Sequence, residues 1–144
     1  MRGDYTTCRL ARRGGSLRLV SSAVTQNIRI TVKSRFLPEQ SGRGRWAFAY
    51  TVRIENVGGP TAQLRSRHWI ITDGNGKREE VKGDGVVGHQ PVLKTGEKFE
   101  YTSGAVLQTP HGSMRGTYKM VLENGQTFDA EIAPFSLTQP GSLN

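Results

Sequence analysis

The chain reads as an all-β sandwich of seven to eight strands, and three observations predict it. Apolar and polar residues alternate with period two over several segments, which puts every second side chain on one face of extended backbone. Eighteen glycines and six prolines punctuate those segments along the whole chain instead of gathering in one place. No segment carries the i, i+3, i+4 apolar stripe of an amphipathic helix of any length.

Between Asn27 and Phe36, Ile28, Ile30 and Val32 alternate with Arg29, Thr31 and Lys33, so one face is buried and one is wet. Pro38 to Arg45 is a polar loop. Trp46, Phe48, Tyr50, Val52 and Ile54 then take the even positions through Glu55, the longest clean alternation in the chain, and its three aromatics supply a large share of the core. Asn56-Val57-Gly58-Gly59-Pro60 is a turn. Gln63 to Thr72 carries Trp69-Ile70-Ile71 into Asp73-Gly74-Asn75-Gly76, a hairpin turn because Asp, Asn and Gly all tolerate positive φ.

Its partner strand, Lys77 to Lys82, holds Lys77, Arg78, Glu79, Glu80 and Lys82 around Val81 and reads as a sheet edge, where charge discourages pairing with a second molecule. After a Lys94-Thr95-Gly96 turn, Phe99 and Tyr101 share one face of Lys98 to Ser103. Pro110-His111-Gly112-Ser113 is a turn, followed by Met114, Gly116, Tyr118, Met120 and Leu122 on a common face. Asn124-Gly125 closes a hairpin with Thr127 to Ile132, which buries Phe128, Ala130 and Ile132.

At 144 residues and 35% hydrophobic content the chain is one domain's worth, long enough to bury a core without staples. The formal charge is +8. Arg2, Arg9, Arg12, Arg13 and Arg18 against Asp4 give the first 22 residues +4 of it, so the other 122 carry +4. Residues 1–22 therefore read as a basic flexible tail with some likeness to an organellar transit peptide, 23–138 as the sandwich, and 139–144 as a flexible end. Half the charge lies in a tail whose one aromatic is Tyr5, so nucleic acid is not an expected partner. The single Cys8 excludes an internal disulfide and a Cys-based zinc site and fits a reducing, cytoplasmic setting. No run reaches the ~18 apolar residues of a membrane span. A monomer or a homodimer is expected.

Gly83-Asp84-Gly85-Val86-Val87-Gly88-His89-Gln90-Pro91 is the stretch with the most chemistry. Its glycines fit G-x-G-x-x-G, which cradles a pyrophosphate when a strand precedes it and a helix follows. Here Pro91 and turn residues follow, so a dinucleotide fold is not expected. Two readings stay open. In one, the stretch is a glycine-hinged loop between strands, closed by arginines that pair with Glu79, Glu80 or Asp84. In the other, Gly83, Gly85 and Gly88 offer backbone N–H groups to a phosphate-containing small molecule, with Arg67 and Arg115, and Arg65 nearby, supplying guanidinium.

His68, His89 and His111 show no metal-ligand spacing, and Asp73, Glu79, Glu80 and Asp84 are interspersed with cations, so neither a bound metal nor a cofactor is expected. Ser103 and Ser113 lack a G-x-S-x-G elbow, and adjacent Glu79 and Glu80 point to opposite faces of a strand, so no catalytic residues are expected.

Glu55-Asn56, Ser66-Arg67-His68-Trp69-Ile70-Ile71-Thr72-Asp73-Gly74-Asn75-Gly76, Gly83 to Pro91, Phe99-Glu100-Tyr101-Thr102-Ser103-Gly104, Gly112-Ser113-Met114-Arg115-Gly116 and Pro134-Phe135-Ser136-Leu137 together resemble the ApaG family, also called CorD. The likeness covers about residues 24 to 137 in order. It implies a fibronectin type III-like or immunoglobulin-like sandwich of seven or so strands. It further implies a stand-alone bacterial protein linked genetically to magnesium and cobalt efflux and encoded beside a diadenosine tetraphosphate hydrolase. Related domains in F-box proteins and in a partner of DNA polymerase delta imply a protein-interaction module with an unidentified protein partner. No catalytic residue carries over.

Overall fold

The computed structural model describes the backbone of residues 6–13 and 16–141 and the side chains of residues 20–141. Its strands are β1 (Thr6–Arg13), β2 (Ser16–Thr25), β3 (Ile28–Phe36), β4 (Trp46–Asn56), β5 (Ala62–Asp73), β6 (Arg78–Asp84), β7 (Val92–Leu93), β8 (Lys98–Leu107), β9 (His111–Leu122) and β10 (Thr127–Thr138). Two antiparallel sheets face one another, one in the order β1-β2-β3-β4-β8, the other in the order β10-β9-β5-β6 with β7 pairing the start of β5. This is the all-β sandwich the alternation predicts, of the fibronectin type III or immunoglobulin-like kind that the resemblance implies, with β1 and β2 added to the seven or eight expected strands. Among the described residues the helical content is one 3-10 turn, Pro38–Gln40, and no helix is long and apolar enough to cross a membrane.

The alternation in β4 becomes the middle of the core. Phe48, Val52 and Ile54 are fully buried and Tyr50 nearly so, because the even residues of a pleated strand share one face and that face meets the other sheet. Across the interface stand Trp69 of β5, Tyr118 of β9 and Phe135 of β10. Trp69 packs edge-on against Tyr118 at 6.1 Å and 89° and against Phe135 at 5.9 Å and 88°, geometry worth about 0.5–1.5 kcal/mol per pair beyond simple burial. Two hydroxyls stitch the layers: Ser21 donates to the Ala133 carbonyl at 3.2 Å and Ser34 to the Ser136 carbonyl at 2.7 Å.

Two irregularities bend the second sheet. In β5, Leu64 and Ser66 pair with the consecutive residues Met120 and Lys119, so Arg65 is an extra residue and a β-bulge. In β10, Ala133 and Pro134 stand opposite the one residue Arg115, where Pro134 has no N–H to offer a ladder.

The packed layer starts before the border placed at residues 22 and 23. β2 runs through that point, and Ser21 is 1% exposed beneath β10 because its hydroxyl has a carbonyl to bond there. The backbone of Thr6–Arg13 lies antiparallel to β2. Arg2, Asp4 and Tyr5 of the tail lie outside the described residues, and the side chains of Cys8, Arg9, Arg12, Arg13 and Arg18 outside the described side chains. At the other end Gln139 donates its N–H to Pro110 and accepts from Trp46 Nε1 at 3.1 Å, while residues 142–144 lie outside the described residues.

Candidate functional site

The Arg65 bulge turns that residue's carbonyl out of the ladder, where it accepts the Gly85 N–H at 2.8 Å and Gln90 Nε2 at 2.9 Å. One chain irregularity thereby holds the glycine stretch at both ends. Inside it, Val86 and His89 exchange backbone hydrogen bonds of 2.8 Å each, and the two residues between them, Val87 and Gly88, have φ of 44° and 84°. This is a two-residue hairpin with both central residues left-handed, the form that fits the twist of flanking strands. Val86 is 1% exposed and plugs the loop into the core, whereas Val87 is 53% exposed at the tip. A β-branched residue in the left-handed region is strained, because its branch crowds the following carbonyl. Gly85 has φ +66°, and a Cβ on it would come to 2.5 Å from the His89 carbonyl oxygen, so this position needs glycine twice over.

The same bulge shifts the parity of β5, so that Arg67 faces inward, between Leu64 and Trp69. Its guanidinium crosses Gly83, whose missing Cβ would sit 2.8 Å from Nη2, and Nη1 donates to the Asp84 and Gly85 carbonyls at 2.9 Å each. The arginine closes the loop, but on backbone carbonyls, not on the carboxylates of Glu79, Glu80 or Asp84 considered from the sequence. Below it the hydroxyls of Tyr101 and Tyr118 bond to each other. Burial pushes both phenols well above their ordinary range, with Arg67 a small opposing influence.

Of the residues singled out for anion binding, the fold gathers Gly83, Gly85, Gly88 and Arg67. Arg115 lies apart, on the outer face of β9 in a separate cleft with His68, Ile70 and Glu131. The N–H groups of Gly85, Val86 and His89 already have backbone acceptors, and a phosphate would have to displace them. Among the described residues no helix N-terminus stands behind the loop. Beside it, on the outer face of the second sheet, an open cleft of about 430 Å³ is lined by His68, Lys82, Asp84, Lys119 and Asp129 among others. Within it Lys119 meets Asp129 at 3.5 Å, and His68 Nε2 lies 3.5 Å from Glu80 Oε1.

The three histidines are far apart in role: His68 meets Glu80, the His89 ring lies 5.6 Å from Phe99, and His111 packs against Gly74. Among the described residues no group of three His, Cys, Asp or Glu is close enough to hold a metal ion.

Residues 37–122 match the ApaG domain family. The chain belongs to the ApaG family. Protein ApaG of Anaeromyxobacter dehalogenans is 65% identical over 125 residues, 87% of this chain and 100% of that protein. Protein ApaG of Methylocella silvestris is 59% identical over 121 residues, 83% of this chain and 93% of that protein. The crystal structure of the protein described as ApaA from Bordetella pertussis superposes with a TM-score of 0.78 at 54% identity, over 80% of this chain and 95% of that one. Within this ApaG domain, Val57, Val87 and Val92 are three of the four large apolar side chains left exposed. By strand register all three lie at one end of the sandwich, where β4 ends, β5 starts and the glycine stretch emerges. Sequence reading passed over Val87 because its signal is local: a β-branched residue directly before a hairpin glycine.

Proposed function

We propose that this ApaG chain is a non-enzymatic protein-interaction module of the cytoplasm that presents its glycine-loop end to a partner protein. The observation that carries this reading is Val87: a strained, half-exposed apolar residue at the tip of a rigidly braced hairpin, with Val57 and Val92 exposed at the same end. Strain of about 1–3 kcal/mol persists only where surrounding structure over-determines it and is concentrated at functional positions. Loops at one end of a sandwich are also the surface such folds use for recognition. Any tie to magnesium or cobalt efflux then runs through the partner.

The test is a pull-down from native extract with the wild-type chain and with Val87→Asn, since Asn tolerates the left-handed conformation. The reading expects a specific protein retained by the wild type and lost by the variant while the variant melts at least as high. Equal recovery by both would overturn it.

A further inference from the structure

The four end strands of the two sheets are not equally protected against pairing with another chain. In an antiparallel ladder alternate residues point both backbone groups at the neighbour, and the rest point both outward. In β6 the bonds from Asp73 N–H to the Lys77 carbonyl and from Gly85 N–H to the Arg65 carbonyl set the phase. Arg78, Glu80, Lys82 and Asp84 are therefore the residues whose backbone faces outward, and all four are charged. That edge is guarded. β10 is interrupted by the Ala133–Pro134 bulge, which guards it in a different way. The side chains of β1 lie outside those described.

In β8 the bond from Asn56 N–H to the Glu97 carbonyl sets the phase, so Lys98, Glu100, Thr102, Gly104 and Val106 aim their backbone groups away from β4. The last three are uncharged. From Trp46↔Leu107 to Glu55↔Lys98 the β4–β8 register runs without a bulge, and β8 contains no proline. Val106 is 53% exposed on that edge. The stretch Thr102–Val106 is thus unbulged, uncharged and open, conditions under which an edge takes another strand.

We infer that β8 is a self-pairing edge that takes the β8 of a second copy of this chain, antiparallel, about a two-fold axis through Gly104. In that register Gly104 meets Gly104, Thr102 of each copy faces Val106 of the other, and Glu100 faces Gln108. No like charges oppose one another, two β-branched pairs stack across the joint, and glycine on the axis lets the backbones meet. The charges of the strand itself, Lys98 and Glu100, cancel and lie away from the axis. Two five-stranded sheets would join into one continuous sheet, leaving the glycine-loop end of each copy uncovered. The inference does not depend on the partner protein proposed above.

Sedimentation velocity on the full chain from micromolar to millimolar concentration tests it. The mass should rise from the 15.9 kDa of one chain toward twice that value. The double variant Thr102→Lys/Val106→Lys should weaken the association at least tenfold, and Glu80→Lys on the guarded edge should leave it unchanged. A wild type that stays monomeric throughout, a double variant that associates as the wild type does, or loss of association in Glu80→Lys would each overturn the inference. Hydrogen exchange on the wild type alone gives a check free of folding effects: the Thr102, Gly104 and Val106 amides should gain protection as concentration rises, and unchanged exchange counts against the pairing.

Discussion

Asn56 shows how much one side chain can organise. It is 1% exposed, its Nδ2 donates to the Pro60 and Leu93 carbonyls at 2.9 and 3.1 Å, and its Oδ1 accepts the Gly58 and Gly59 N–H groups at 3.2 and 2.8 Å. One residue thereby holds the β4–β5 turn and the end of β7. Asn56→Ala strands several buried backbone groups, each costing about 1–3 kcal/mol, so a loss of ~3 kcal/mol is expected by urea denaturation. Val87 has the opposite sign. Replacing it with Gly or Asn removes left-handed strain and should raise stability by about 1 kcal/mol by the same measurement, consistent with a residue kept for contact and not for folding.

At the scale of elements, the bulge in β5 is the device that makes the site. Without Arg65 as an extra residue, Ser66 and His68 would face the core and Arg67 would face solvent, and nothing would span Gly83 to hold the loop. The β5–β9 pairing is also unusually close, since a Cβ on Gly116 would lie 2.1 Å from the His68 carbonyl oxygen. Gly116→Ala must push two ladder strands apart and is expected to cost ~3 kcal/mol, the upper end for overpacking, as a lowered denaturation midpoint. The loop's own bonds lead to one more expectation. Pyrophosphate titrated against the labelled chain should leave the Gly85, Val86 and His89 amide resonances in place, because their N–H groups already have acceptors within the loop. Shifts confined to those amides would restore the anion reading.

For the molecule as a whole, the Tyr101–Tyr118 pair joins the two sheets through the core, β8 to β9. Desolvation raises both phenols, so the folded state holds those protons more tightly than the unfolded chain does. Their contribution is complete below the ordinary phenol value of about 10 and is lost as pH rises beyond it toward the folded values. Alkaline denaturation should therefore coincide with the ionisation of these two tyrosines, followed by phenolate absorbance. Tyr101→Phe alone leaves a buried hydroxyl unsatisfied and should cost about 1–3 kcal/mol at neutral pH. The double replacement with Phe should cost less than the sum of the singles and shift alkaline unfolding upward.

The fold was legible because period-two alternation is a property of local sequence: the even residues of β4 and the Met114 to Leu122 face of β9 had to be buried together whatever they packed against. The charged edge at β6 was legible for the same reason, as charge on an extended strand must face water. The bulge at Arg65 was not, since two residues opposing one is a relation between strands and leaves no mark on β5 read alone. With it went the inward turn of Arg67, the bracing of the glycine stretch and the separation of Arg115 from that stretch. Sequence by itself determined the strands from Ile28 onward and which side of each is apolar, while residues 6–25, read as a tail as far as residue 22, are strands only by their pairing with β3 and with each other. Only the tertiary structure decided which backbone donors remain open at the glycine turn and which sheet edge is left uncharged, because both depend on the register between segments distant along the chain.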